Sequence, residues 1–134
     1  MEYVLDTTAV MSVLLARPGH EPVVEVLDEA EGAHSVLLPF MTLMELEYGL
    51  LRALPQAEVA TALRLVEAWP VQIVESSPVW RHAAAEVKSR GGLSLADAWI
   101  AALALLRGAT LLHHDPEFDA VHGLQAQRLN VQPS

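Results

Sequence analysis

The stretch "YVLDTTAVM", residues 3–11, joins a short apolar run to a helical pattern through a single acid. The run "EYVL" (2–5) favours a β-strand, and "TAVMSVLLA" (8–16) has apolar residues at helical spacing. Asp6 lies between them, at the end of the predicted strand, where it can also cap the helix that begins near Thr8. The chain therefore starts with a strand, an acid and a helix.

The same alternation continues along the chain. We predict further strands at "SVLLP" (35–39), "VQIVE" (71–75), "ATLLH" (109–113) and, as a possible fifth, "QRLNV" (127–131). Helical patterns lie between them at 22–31, 42–54, 57–69, 78–90 and 95–107. Strands alternating with helices predict an α/β domain with a mostly parallel sheet of four to five strands. With no repeat or linker in 134 residues, we expect a single domain over residues 1–134.

Composition narrows the class of function. The net charge is −9, from 17 acids against 8 lysines and arginines, which argues against a plain nucleic-acid-binding module with a basic patch. An enzyme whose acids hold divalent cations remains compatible with that charge. The absence of cysteine excludes disulfides and thiolate metal sites and is compatible with the cytoplasm. We expect no membrane span and no signal peptide, because the longest apolar run, 98–106, is too short.

Four acids follow the predicted strands or begin the helices after them. Ligands of a parallel sheet bind outside the carboxyl ends of its strands. Asp6 ends the first strand, and Asp115 follows the fourth. Glu45 is predicted in the first turn of the helix after the second strand, and Asp97 in the first turn of the helix over 95–107. We therefore expect all four carboxylates at the same edge of the sheet.

Each acid also has a purely structural interpretation as a helix cap. Two capping-box patterns and two simple caps are present: Thr42-x-x-Glu45, Ser94-x-x-Asp97, Asp115-Pro116 and Asp6 itself. Asp97 is the exception, because it is the only charge between Arg90 and Arg107, on a helix that is apolar nearly all round. We expect that helix to be buried, and a buried carboxylate must be paired or bound to a metal.

Taken together, the four acids favour a metal site. Crowded carboxylates repel one another, and a divalent cation removes that conflict. Mg²⁺ prefers oxygen ligands and is held by a few carboxylates together with substrate phosphate, which indicates metal-dependent phosphodiester hydrolysis. The hydroxyls of Thr7 and Thr8 can add a ligand or orient Asp6.

Four segments in this order and spacing resemble the motifs of the PIN domain: "YVLDTTAVM", "TLMELEYG", "LSLADAWIAALAL" and "LLHHDPEF". More specifically, they are similar to the VapC-type ribonuclease toxins of toxin–antitoxin pairs, over residues 2 to about 131. The resemblance implies a three-layer α/β/α fold, a homodimer, Mg²⁺ or Mn²⁺, and endoribonuclease activity restrained by a cognate antitoxin. It also implies that Asp6, Glu45, Asp97 and Asp115 are the catalytic and metal-binding residues, with Thr7 as a supporting hydroxyl.

Three residues outside the acids bear on this interpretation. His113 occupies the position, two residues before the fourth acid, where the family usually has threonine. An imidazole can support a carboxylate as threonine does, or can bind a softer metal such as Mn²⁺ or Zn²⁺. Arg90 and Lys88 precede the Gly91-Gly92 loop and are candidates for RNA contact, or they simply complement a helix C-terminus.

Two other function classes remain open. A receiver-like signalling domain would need an acidic pair near the first strand and a lysine after a late strand, whereas the only lysine, Lys88, lies in a predicted helix. A non-catalytic PIN-like interaction module would keep its acids as structural caps. The apolar spacings in the helices over 42–54 and 57–69 fit core packing, so the homodimer is expected mainly from the family resemblance.

Overall fold

The five strands form one parallel sheet. The computed structural model describes residues 1–30 and 35–129. The spatial order is β3-β2-β1-β4-β5, with all neighbours parallel, and the bounds are β1 Glu2–Leu5, β2 Ser35–Pro39, β3 Gln72–Val74, β4 Thr110–His113 and β5 Ala126–Arg128. The predicted parallel sheet is confirmed, including its fifth strand, although residues 130 and 131 of that prediction lie outside the described residues.

The helices connect these strands. Their bounds are α1 Thr7–Leu14, α2 Glu21–Asp28, α3 Phe40–Ala53, α4 Gln56–Glu67, α5 Pro78–Ser89 and α6 Leu95–Arg107, and a 3₁₀ turn over Pro116–Ala120 follows β4. Serine hydroxyls accept N–H bonds at the start of α5 and α6. The helix predicted over 22–31 ends at Asp28, and residue 31 lies outside the described residues.

Side chains of the sheet alternate between two apolar cores. Val4 and Leu111 belong to the core that contains α5 and α6. Their neighbours Leu5 and Leu112 belong to the core that contains residues of α1 to α4. Because successive side chains of a strand point to opposite faces, helices cover both faces of the sheet. The result is the predicted three-layer α/β/α architecture.

Helix α3 begins two residues earlier than the sequence pattern indicated. Phe40 is its first residue, after Pro39 in an extended conformation, and the Phe40 ring packs edge-on against Trp80 and Trp99 at centroid distances of 5.5 and 5.3 Å. Aromatic burial thus sets the helix start, without a side-chain cap. Thr42 is therefore a buried helical residue and Glu45 lies in the second turn, so the predicted Thr42–Glu45 capping box is wrong.

The apolar spacing in α3 and α4 is mostly core packing. Leu46, Leu50 and Val66 are buried, and Leu54 and Leu63 pack against the same core while partly exposed.

Within residues 1–30 and 35–129, no helix combines the length and hydropathy needed to cross a bilayer.

Gly108 ends α6 in the left-handed conformation, with φ of +60°. A Cβ there would meet no other atom within 4 Å, so the effect of substitution comes from the backbone alone. We expect Gly108→Ala to lower the free energy of unfolding by about 1–2 kcal/mol. Gly108→Asn should cost less, because asparagine tolerates this conformation. Urea unfolding of both variants is the measurement, and equal losses would contradict the backbone explanation.

Candidate metal centre

The carboxyl edge of the sheet collects five acids. Asp6 follows β1, Asp97 lies in the first turn of α6, and Asp115 follows β4. Burial is the largest cause that raises the pKa of Asp6 and of Asp97. The negative charges of Asp97 and Asp115 raise the pKa of Asp6 further, and those of Asp115, Glu45 and Glu117 do the same for Asp97. The structure thus brings the four acids singled out in the sequence together with Glu117. These five residues are called the acidic cluster below.

Asp6 is the buried member of the cluster, with 5% of its surface exposed. It caps α1, because Oδ1 accepts the Ala9 N–H at 2.8 Å, and the Thr8 hydroxyl lies 2.9 Å from Oδ1 and 3.0 Å from Oδ2. Burial raises its pKa to about 7, against the opposing effect of these two hydrogen bonds. The carboxylate is therefore held rigidly in a place that disfavours its charge.

Asp97 is only half-buried, although α6 itself is a core helix. Its N–H donates to the Ser94 hydroxyl at 3.2 Å, which is the serine half of the predicted capping box. Burial is the main cause that raises the pKa of Asp97. A hydrogen bond between the Ser94 side chain and the Asp97 carboxyl lowers that pKa, and the neighbouring acids raise it. The predicted burial of α6 is confirmed, and Asp97 is less buried than its helix because the side chain faces the cluster while its neighbours Ala98 and Ile100 face the core.

Asp97, Asp115 and Glu117 form the tightest part of the cluster. One carboxylate oxygen from each lies within 4.8 Å of the others. Asp115 caps the 3₁₀ turn, since its Oδ1 accepts the Glu117 N–H at 2.8 Å. That bond folds Glu117 back toward Asp97, which explains why a residue not singled out in the sequence joins the cluster. The available signal was its place two residues after Asp115 in "DPEF".

Two threonines hold different acids. The Thr7 hydroxyl donates to Oε1 of Glu45 at 2.8 Å, across two helices. The Thr8 hydroxyl donates to Asp6. Thr8 therefore orients Asp6 as the sequence suggested, whereas Thr7 orients Glu45. A fixed carboxylate loses less conformational freedom when it binds a cation, so both contacts prepare ligand oxygens.

His113 lies beneath the cluster and is fully buried. Its Nδ1 accepts the Asp115 N–H at 3.1 Å, and its ring packs against Phe118 at a centroid distance of 4.9 Å. Burial lowers its pKa, and an accepting Nδ1 places the proton of the neutral ring on Nε2. Nε2 is itself buried, with no partner among the described residues. His113 thus positions Asp115 through the backbone, and neither ring nitrogen is exposed.

The acidic cluster suits a hard divalent cation. All of its side chains are carboxylates, whose oxygens are the ligands that Mg²⁺ and Mn²⁺ prefer. The raised pKa values of Asp6 and Asp97 show that like charges and burial oppose ionisation of the cluster. A cation would relieve that opposition. Asp97, Asp115 and Glu117 are close enough to share one ion.

The two basic residues near the Gly91-Gly92 loop make different contacts. Lys88 donates from Nζ to the Leu93 carbonyl at 2.8 Å and so pins the loop to α5. Arg90 lines a cavity of about 90 Å³ together with Glu117 of the acidic cluster. Arg90 thus shares a cavity with the acidic cluster, whereas Lys88 is bonded within its own loop.

Comparison with known proteins gives a consistent result. The PIN-domain family model matches residues 3–124. The fold is similar to VapBC2 from Rickettsia felis bound to a DNA fragment from their promoter, with a TM-score of 0.82, 18% identity, and 97% of this chain and 100% of that chain covered. VapBC-1 from nontypeable Haemophilus influenzae is 25% identical, with a TM-score of 0.74 and 96% and 98% of the two chains covered. No curated protein sequence matches.

The raised pKa of Asp6 predicts a pH-dependent stability in the metal-free protein. Between its ordinary value of 3.8 and about 7, the folded chain holds a proton on Asp6 that the unfolded chain releases. The resulting stability is present at low pH and is lost as pH rises through that window. Asp6→Asn keeps the helix cap without the charge. We expect it to be more stable than wild type by about 2–4 kcal/mol near pH 8.

Urea unfolding in EDTA at about pH 4 and about pH 8 measures this difference, which should nearly vanish at the lower pH. The exposed acid Asp28 supplies the matched control. Asp28→Asn should show no comparable pH dependence, and an equal stability gap for Asp6→Asn at both pH values would contradict the assignment.

Proposed function

The chain belongs to the PIN-domain family, and we propose that it is a divalent-metal-dependent endoribonuclease that acts as the toxin of a toxin–antitoxin pair. The observation that carries the proposal is the convergence of five carboxylates at one edge of the sheet, with the most buried of them at a pKa of about 7. Such an arrangement is costly unless a cation compensates it.

Asp97, Asp115 and Glu117 would hold one Mg²⁺ or Mn²⁺, with Asp6 and Glu45 as further ligands. The cation, when bound, would supply activation of water and charge neutralisation at the phosphodiester. The chain's own residues fix the geometry. Ala9 and Thr8 hold Asp6.

On the other side of the cluster, Thr7 holds Glu45 and the His113 ring fixes the backbone of Asp115. Since His113 has no exposed ring nitrogen, a softer metal such as Zn²⁺ gains no nitrogen ligand from it.

Capping alone does not account for the cluster. Asp6 and Asp115 do cap helical turns, as an interaction module would require. Glu45 lies in the second turn of α3 and caps nothing, and Glu117 caps no helix within the described residues. A carboxylate that caps with one oxygen keeps other lone pairs for a cation. The non-catalytic alternative therefore explains only part of the arrangement.

The proposed partners are RNA, a cognate antitoxin and a second copy of this chain, with the cytoplasm as the place of action. Several of the similar structures are toxin–antitoxin complexes, and a basic group of an antitoxin would fit the acidic cluster electrostatically. The exposed side of α3 carries an apolar stripe, which is formed by Met44, Tyr48 and Leu51. That apolar stripe supports an interface with a second copy, which sedimentation at micromolar concentration tests.

Cleavage of a mixed RNA pool tests the enzymatic proposal. We expect cutting with Mg²⁺ or Mn²⁺ and none with EDTA, because the acidic cluster needs the cation to act on a phosphodiester. Asp6→Asn and Asp97→Asn should each reduce the rate by at least about 100-fold and weaken Mn²⁺ binding in titration calorimetry. Glu47→Gln, an exposed acid on α3, is the matched control and should retain both.

Two results would contradict the proposal. One is RNA cutting that persists in EDTA. The other is intact protein that binds no Mn²⁺ and leaves RNA uncut, which would return the acids to structural roles.

Arg90→Ala separates RNA contact from metal binding. Because Arg90 lies beside Glu117 without belonging to the cluster, we expect weaker RNA cleavage, by about five- to tenfold for one lost phosphate contact. Mn²⁺ affinity should stay within about twofold of wild type. Arg64→Ala removes an exposed arginine on α4 for comparison, and equal cleavage by the two variants would remove Arg90 from the RNA path.

A further inference from the structure

A second cavity adjoins the acidic cluster and has no part in metal binding. It has a volume of about 330 Å³ and is lined by Thr8, Ser12, Arg17, Pro18 and His114. These residues define the flanking pocket. Thr8 also donates to Asp6, and His114 immediately precedes Asp115, so the pocket and the cluster share a wall. Its volume lies within the range of small-molecule sites, about 300–1,000 Å³.

The positive charge of the pocket comes from Arg17. The turn after α1 places this residue, since the Arg17 N–H donates to the Ser12 carbonyl at 2.8 Å. Burial lowers the pKa of His114, and the charges of His113 and then of Arg17 lower it further, which places the guanidinium near that ring. Within residues 1–30 and 35–129, no carboxylate forms an ion pair with Arg17. In a chain of net charge −9, an exposed arginine that has no carboxylate partner among these residues is suited to a phosphate.

The Thr8 hydroxyl is the acceptor that the pocket offers. It donates its hydrogen to Asp6, and Thr8 is exposed, so its oxygen keeps lone pairs for a ligand and offers no hydrogen. Ser12 is only 1% exposed and donates to the Ala9 carbonyl at 2.7 Å, so it serves as wall and not as a ligand contact. The Thr8 oxygen suits a ligand that brings its own donor, such as a ribose hydroxyl or a base N–H, better than a bare anion.

His114 forms part of the pocket wall. Its Nδ1 is buried, so it is closed to a ligand in the cavity. The pocket thus combines one cation, Arg17, with one accessible acceptor, the Thr8 hydroxyl. These two groups suit the phosphate and a hydroxyl of a nucleotide.

We propose that the flanking pocket binds the ribonucleotide next to the scissile phosphodiester, with Arg17 on its phosphate and the Thr8 hydroxyl accepting a hydrogen bond from its sugar or base. This inference rests on the proposed ribonuclease function and names a substrate subsite for it. The Thr8 acceptor gives the pocket a way to recognise the 2′-hydroxyl, which distinguishes RNA from DNA.

The test compares Arg17→Gln with Arg64→Gln, which removes the same charge from an exposed site on α4. Anisotropy of a fluorescent single-stranded RNA in EDTA, over a series of salt concentrations, measures binding without turnover. One lost phosphate contact lowers the slope of log K against log salt by about 0.7 and weakens binding about fivefold at 0.1 M salt. We expect both effects in Arg17→Gln and neither in Arg64→Gln, with KM for RNA cleavage raised in the first variant only.

A DNA oligonucleotide of the same sequence tests the acceptor. Wild-type protein should bind the RNA more tightly by about 2- to 10-fold, the effect of one hydrogen bond from a 2′-hydroxyl to Thr8. Equal binding of the two oligonucleotides would overturn the role of the Thr8 hydroxyl.

The outcomes separate the subsite from the function on which it rests. RNA cutting by wild type with identical binding slopes for the two arginine variants would overturn the subsite alone. Wild-type protein that neither binds nor cuts RNA would overturn both.

Discussion

The organising constraint of this structure is the concentration of negative charge where the strands of a parallel sheet end. The sheet brings Asp6 and Asp115 into one place because β1 and β4 are neighbours. The helices that follow add Asp97 and Glu45. Burial then raises the pKa of Asp6 to about 7, so the ionised form of Asp6 is disfavoured at the place where it borders the other acids. A buried group of like charges is unfavourable for folding and is not needed for it, so such a group indicates a functional site.

Structural and chemical roles coincide in these acids. Asp6 and Asp115 each accept a backbone N–H with one carboxylate oxygen, which fixes the helical turn and the direction of the remaining lone pairs. The two interpretations that the sequence left open, helix caps or metal ligands, are therefore compatible. Capping helps to position the ligand, because a carboxylate already ordered by the backbone has little freedom left to lose on binding. The His113 ring does the same for the Asp115 backbone.

The sequence predicted the sheet and most helices because apolar periodicity records which faces are buried. It failed where tertiary contacts decided the local structure. Helix α3 starts at Phe40, whose ring completes an aromatic cluster with residues distant in sequence. Burial of Asp6 rather than Asp97 follows from the layers around β1, and Glu117 joins the cluster through one turn. Such features depend on the packing of several elements, which no single segment encodes.

For the proposed ribonuclease function, an acidic chain must hold a polyanion with few positive charges, so the positions of those charges matter. Arg90 and Arg17 lie on two different cavities at the edge of the cluster, one beside Glu117 and one beside Thr8. A strand of RNA that contacted both would cross the acids between them, where a cation offsets the repulsion. The positions of individual charged residues, and not the net charge of −9, then determine where RNA would bind. The same acidity elsewhere on the surface would disfavour RNA bound in any other register.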